Sequence, residues 1–250
     1  DKIYSDITTK SLINNKKIKC TFLFKEKGIL CGKKIINYLI REHFKEIKIV
    51  WKKEDGELIK KGSIIATIHG PANKILPIER ILLNFLQRMS GIATLTYTFS
   101  KALKNKNIKL LDTRKTTPGW RLIDKYCVRV GGGVNHRMNL SEMILIKDNH
   151  IKSCGGITST LEKVFKKTKK QKVEIEVKNL SELKQVLGFK VKRIMLDNFT
   201  FSLSESTGLR HPDLFALHGK NPSGSYKSMK TTKAETSLTR ELTAKYNFVD

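Results

Sequence analysis

The run Val173-Glu-Ile-Glu-Val-Lys-Asn-Leu-Ser-Glu-Leu-Lys-Gln-Val-Leu-Gly-Phe-Lys-Val-Lys-Arg-Ile-Met-Leu-Asp197 decides the fold class. Within it an apolar strand (173–177), a helical piece (181–187) and a second apolar strand (193–196) follow one another, which is the βαβ rhythm of a parallel sheet or barrel. Upstream, the rhythm reaches back to Asn107 through strands at 108–111 and 143–146 and helical pieces at 119–129 and 157–168. Each strand ends at, or just before, a charged group: Asp112, then Lys147-Asp148, Glu176 and Asp197. Strand carboxyl ends are where α/β barrels build their active sites, so the charges at these four strand ends are candidate site residues.

The first hundred residues read differently. Segments 20–26 and 46–53 alternate as strands, and Lys33 to Phe44 places Ile36, Leu39, Ile40 and Phe44 on one side of a helix. Gly56, Gly62 and Gly70 punctuate short apolar pieces, as in a small β-rich unit. Pro77 suits the first position of a helix, and an apolar stripe from Leu82 to Phe99 carries that helix to Leu103, about 40 Å at ~1.5 Å per residue, with a break expected near Gly91. The organisation expected is a unit at 1–104 ending in the long helix, a barrel at 105–200 and a divergent tail at 201–250. Residues 1–200 contain 26 isoleucines and 201–250 none, while the tail holds 13 Ser and Thr and no strand-helix alternation.

Composition bounds the function. The 250 residues carry 49 Lys+Arg against 23 Asp+Glu, a formal charge of +26. Lys supplies 39 of the 49, scattered as a coding bias toward A and T would scatter them, and no aromatic stripe or helix-turn-helix supports a nucleic-acid reading of the charge. Lys166 to Lys172 is the densest run and reads as a solvated helix end. No stretch is apolar for 18 residues, which excludes a spanning helix. Cys20, Cys31, Cys127 and Cys154 are too dispersed for a disulfide framework or a zinc site. With no secretory signal, the chain reads as a soluble cytoplasmic protein, and Asp1 in the place of Met reads as a missing start.

Two segments concentrate donors for anions. In Asp112-Thr-Arg-Lys-Thr-Thr-Pro-Gly119, Arg114 offers a bidentate fork and Lys115 a mobile point charge. In Gly131-Gly-Gly-Val-Asn-His-Arg137, three glycines would let backbone N–H groups approach an anion, with His136 and Arg137 as side-chain donors. Paired with Glu176 and Asp197, these segments suggest a site for polyanions, through a divalent metal such as Mg²⁺. There is no Walker motif, G-x-G-x-x-G or G-x-S-x-G, and His43, His69, His211 and His218 read as incidental.

Taken in order, Ser5-Asp-Ile-Thr8, Glu79-Arg80, Ser90-Gly-Ile-Ala-Thr94, Leu111-Asp-Thr-Arg-Lys-Thr-Thr-Pro-Gly119, Lys125-Tyr126, Gly131-Gly-Gly-Val-Asn-His-Arg137, Ile146-Lys-Asp-Asn-His150, Val173-Glu-Ile-Glu-Val177 and Met195-Leu-Asp-Asn-Phe199 resemble the motif series of the quinolinate phosphoribosyltransferases. The resemblance implies an N-terminal α/β sandwich joined to an α/β barrel, here incomplete. It also implies a homodimer that converts quinolinate and 5-phosphoribosyl-1-pyrophosphate to nicotinate mononucleotide, pyrophosphate and CO₂ with Mg²⁺, in NAD biosynthesis. Carried over by position, Arg80 would reach quinolinate from the neighbouring subunit. Thr113, Arg114, Lys115, His136 and Arg137 would line its pocket, and Lys147, Glu176 and Asp197 would face the ribose and pyrophosphate. Lys115, Glu176 and Asp197 are the expected catalytic groups, the two carboxylates holding metal only through water. After Asp197 the family's helix and glycine-rich phosphate turns are not recognisable, Ser204-Glu-Ser-Thr-Gly208 coming too soon, as a frameshift or foreign C-terminus would give. The alternatives are an inactive or truncated homologue, or a related phosphoribosyltransferase for another small ring carboxylate.

Overall fold

The computed structural model describes residues 2–103, 108–168 and 173–197, and the backbone of strand β9 (Leu242–Phe248). Two compact units divide them. One holds the described residues of Asp1–Lys104 and Lys115–Asn135 together with β9, and the other those of Asn105–Arg114 and His136–Lys230. Residues 115–135 therefore group with the first unit, although the sequence rhythm assigned them to the barrel.

In the first unit, Asp6 caps helix α1 (Ile7–Leu12) by accepting hydrogen bonds from the Thr8 and Thr9 amides and the Thr9 hydroxyl. An antiparallel sheet has the order β3-β5-β1-β9, from β1 (Lys17–Phe24), β3 (Lys48–Trp51), β5 (Ile64–Pro71) and β9. A second ribbon pairs β2 (Gly28–Ile29) with β4 (Leu58–Ile59). Helix α2 (Lys33–His43) buries Ile36 and Ile40 against the sheet's apolar face, where Cys20, Phe22, Ile65 and Ile68 are almost wholly inaccessible.

The long helix α3 (Ala72–Ala102) starts five residues earlier than expected, with Pro77 inside it. The earlier start buries Ala72 and Ile75. At about 1.5–3 kcal/mol for a buried large aliphatic side chain such as Ile75, that offsets much of the ~3 kcal/mol a mid-helix proline costs. Nor does α3 break at Gly91. The small residues there let other elements close in: Ser90 Oγ accepts from the Cys31 amide (3.0 Å), and Thr94 Oγ1 accepts from the Ile29 amide (2.8 Å). The Ser90–Thr94 motif thus supplies the edge of β2 with hydrogen-bond partners. Helix α4 (Arg121–Val130) docks on the same stretch through Cys127, which clusters with Met89 and Ala93.

The second unit contains the parallel sheet β6-β7-β8, formed by β6 (Ile144–Ile146), β7 (Val173–Val177) and β8 (Arg193–Leu196). Helices α5 (Asp148–Cys154), α6 (Ile157–Lys167) and α7 (Leu180–Leu187) connect the strands. Ile146, Val173, Ile175, Val177, Ile194 and Leu196 face Leu161, Leu183 and Val186 in one core. Of the strand expected at 108–111, only an isolated bridge at Leu111 forms; Ile108 is half exposed, so the segment lacks the burial on both faces that β7 enjoys. No helix among the described residues is long and apolar enough to cross a membrane. The expectations for 201–241 lie outside the described residues.

Candidate active site

The alternation of β7 builds the site. Val173, Ile175 and Val177 point into the apolar core, so Glu174 and Glu176 must point to the other face. The parallel register sets Glu174 beside Arg193 and Glu176 beside Met195, and Asp197 follows two positions later on the Arg193 face. The Asp197 amide still donates to the Val177 carbonyl (2.8 Å), so the ladder holds that residue just past β8. On β6 the register pairs Ile146 with Ile175, which sends Lys147 to the carboxylate face, where its Nζ donates to Glu176 Oε1 at 2.8 Å.

Lys147 is itself held. It is the N-cap residue of α5, and its amide donates to His150 Nδ1 (2.9 Å), so the spacing of Ile146-Lys-Asp-Asn-His150 is that of a helix cap. Next to it Lys178 Nζ donates to Asp148 Oδ2 (2.8 Å) and holds that carboxyl below its ordinary value.

His136 and Arg137 enter the same face from the segment before β6. The His136 amide donates to Asp112 Oδ1 (2.7 Å), and its Nε2 lies 3.0 Å from Glu174 Oε2. Glu174 is almost fully buried, and Arg193 Nη1 stands 3.5 Å from the same oxygen. Arg137 donates to the Met143 carbonyl (3.0 Å). Burial first, and then the neighbouring positive charge of Arg114, push the Arg137 guanidinium below its ordinary value, while Glu174 and Glu176 pull it back. Arg114 contributes a buried Nε–H with no hydrogen-bond partner among the described residues. Two guanidiniums that repel each other, one with an orphaned donor, form an arrangement that an anion would relieve.

Of the expected residues, Thr113, Arg114, His136, Arg137, Lys147, Glu176 and Asp197 lie in this unit. Arg80 is exposed on α3, and it and Lys115 belong to the other unit. The expectation for the three glycines fails. The Gly131, Gly132 and Gly133 amides donate to the carbonyls of Cys127, Arg129 and Val128, ending α4, and are spent. Their smallness serves packing, since a Cβ on Gly131 would sit 2.3 Å from the Ala93 carbonyl oxygen. Sequence reasoning missed Glu174, Arg193 and the capping role of His150. The signal for Glu174 was available, because in V-E-I-E-V it shares a face with Glu176. Among the described residues no group of three or more His, Cys, Asp or Glu could hold a metal by itself.

The profile of the quinolinate phosphoribosyl transferase N-terminal domain matches residues 6–90, and that of its C-terminal domain matches 92–209. A probable nicotinate-nucleotide pyrophosphorylase (carboxylating) of Bacillus subtilis is 38% identical over 194 residues, 77% of this chain and 67% of that protein. The chloroplastic nicotinate-nucleotide pyrophosphorylase (carboxylating) of Arabidopsis thaliana is 42% identical over 196 residues, 74% of this chain. The chain spans only 56% of that plant relative's length. Among solved structures, the nicotinate-nucleotide pyrophosphorylase of Francisella tularensis superimposes with a TM-score of 0.83 at 34% identity, over 98% of this chain and 93% of that one.

Proposed function

The chain belongs to the quinolinate phosphoribosyltransferase family, and from that premise we propose that it transfers the phosphoribosyl group of 5-phosphoribosyl-1-pyrophosphate to quinolinate, releasing pyrophosphate and CO₂. The observation that carries the reading is the pairing of Arg114 and Arg137, two guanidiniums in mutual repulsion beside a strand face of carboxylates. A planar dicarboxylate matches two forks, and Arg80, as an arm from a second copy in a homodimer, would add a third.

The roles follow from charge. Arg114, Arg137, His136, Thr113 and Lys115 bind the two carboxylates of quinolinate and turn its ring nitrogen toward the anomeric carbon. As the C–O bond to pyrophosphate breaks, positive charge develops on the ribose, and Glu176 and Asp197 lie on the face that would stabilise it. Lys147, tied to Glu176, offers a cation to the leaving group. The new N–C bond makes the ring a cation, so the adjacent carboxylate departs as CO₂ and the carbon it leaves takes a proton. Glu176 and Asp197 are hard oxygen donors without a third ligand grouped with them among the described residues, which fits a Mg²⁺ held mainly by the diphosphate and water. That ion would offset the charge of the leaving pyrophosphate. The four free thiols suit a reducing compartment such as the cytoplasm.

The test is release of labelled CO₂ from carboxyl-labelled quinolinate, dependent on 5-phosphoribosyl-1-pyrophosphate. A well-folded protein that binds quinolinate by titration calorimetry but releases none would instead be an inactive homologue.

A further inference from the structure

The segment after Lys115 is held by a device to which the proposed reaction assigns no part. Thr117-Pro118-Gly119-Trp120 is a tight turn: the Trp120 amide donates to the Thr117 carbonyl (3.0 Å), proline occupies the second position, and Gly119 takes φ +77° in the third. This is the signature of a type II turn, in which only glycine adopts the third position without strain.

Arg88, on the central turns of α3, grips both ends of this turn. Its Nη2 donates to Thr117 Oγ1 and to Asp124 Oδ1, each at 2.8 Å. The other oxygen of Asp124 accepts from the Thr117 amide (3.2 Å). At the far end the guanidinium lies over the Trp120 ring, 5.0 Å from its centroid, and Phe85, three residues back on α3, packs on that ring at 5.3 Å. Asp124 is buried, and the Arg88 side chain is only 20% exposed. One planar cation thus ties a hydroxyl, a carboxylate and an indole, a task Lys cannot do because its ammonium neither forks nor stacks flat.

We infer that Arg88 is a positioning residue, which with Asp124 and Trp120 locks the Thr117–Trp120 turn and so fixes where the backbone presents Lys115. The inference rests on the proposed role of Lys115 at quinolinate. Only Thr116 stands between Lys115 and the clamped Thr117, and its hydroxyl accepts from Arg121 Nε (3.3 Å).

The experiment compares the full chain with Arg88→Lys, Arg88→Gln and Thr117→Val, the last cutting the link to the turn without touching the buried ion pair. Two readouts are taken: amide hydrogen exchange of 115–120, and KM and kcat for each substrate. Expected are exchange at 115–120 at least tenfold faster while the amides of α3 stay protected, and a quinolinate KM raised about tenfold with the 5-phosphoribosyl-1-pyrophosphate KM within twofold of the parent. Arg88→Lys should keep the melting temperature yet fail to restore the quinolinate KM, which separates positioning from mere stabilisation. Unchanged exchange in all three variants overturns the clamp. Faster exchange with an unaltered quinolinate KM overturns its bearing on Lys115. A parent protein that does not turn over quinolinate refutes the proposed function instead, and the exchange readout then still decides whether Arg88 holds the turn.

Discussion

Replacing Arg114 by Met should move stability and binding in opposite directions. In the free protein Arg114 repels Arg137, already disfavoured by burial, and buries an Nε–H that no group among the described residues accepts. A buried unsatisfied donor costs about 1–3 kcal/mol, and an unbranched apolar side chain of similar length removes that cost and the repulsion together. Exposure of the remaining side chain and the loss of its own packing offset part of the gain, so a net stabilisation of about 1 kcal/mol is expected. For a chain of this size that raises Tm by roughly 2–4 °C. Toward a dicarboxylate the same variant loses a charged hydrogen-bonding group worth ~1.5–3 kcal/mol, or roughly 10- to 150-fold in Kd. Differential scanning calorimetry and quinolinate titration on the same samples measure both quantities. A variant that loses stability together with affinity, or binds quinolinate as tightly as the parent, would show that Arg114 is a structural residue and that the paired cations are not the anion site.

Glu176→Gln should leave quinolinate affinity within a few-fold while lowering kcat by about 10²–10³, the usual cost of one electrostatic group aimed at a developing charge, as pre-steady-state CO₂ release would report. Gly131→Ala should destabilise by about 3 kcal/mol or more, because the added carbon meets the backbone of α3 at 2.3 Å, and thermal melts or recovery of soluble protein will register it. Acid should weaken the Asp6 cap and the Asp148–Lys178 pair: both carboxyls have folded pKa values below their ordinary 3.8, so their contribution is present above that value and is lost as pH falls through the depressed ones. Melting curves between pH 2 and 5 should accordingly be flatter for Asp6→Asn and Asp148→Asn than for the parent.

What the sequence disclosed, it disclosed through period and spacing. The strands 173–177 and 193–196 and the helices at 33–43, 121–130 and 157–167 lie where alternation and helical stripes placed them, since each buries one face in its own core. The start of α3 was hidden because Pro77 is a strong local signal that tertiary burial of Ala72 and Ile75 overrides. The glycines 131–133 were misread for a related reason: whether an amide meets an anion or a helix's last carbonyls depends on the preceding helix, which local composition does not specify. The site's cations were legible as residue types, but the repulsion between Arg114 and Arg137 and the burial of Glu174 arise only when segments 23 to 38 residues apart converge.

The pairing of β9 with β1 sets an order of events at the ribosome. Until Leu242–Phe248 is synthesised, β1 is the open edge of its sheet, with seven residues from Ile18 to Phe24 lacking their second partner strand. Phe24 and Leu242 stand 218 positions apart. At ~5–20 residues per second that is roughly 10–45 s of translation during which an apolar, β-prone edge is available to other nascent chains. The alternating Lys17 and Lys19 at its beginning are the kind of charges that discourage edge-to-edge pairing. Yield of this protein should therefore depend on translation speed and on chaperones that shield strand edges.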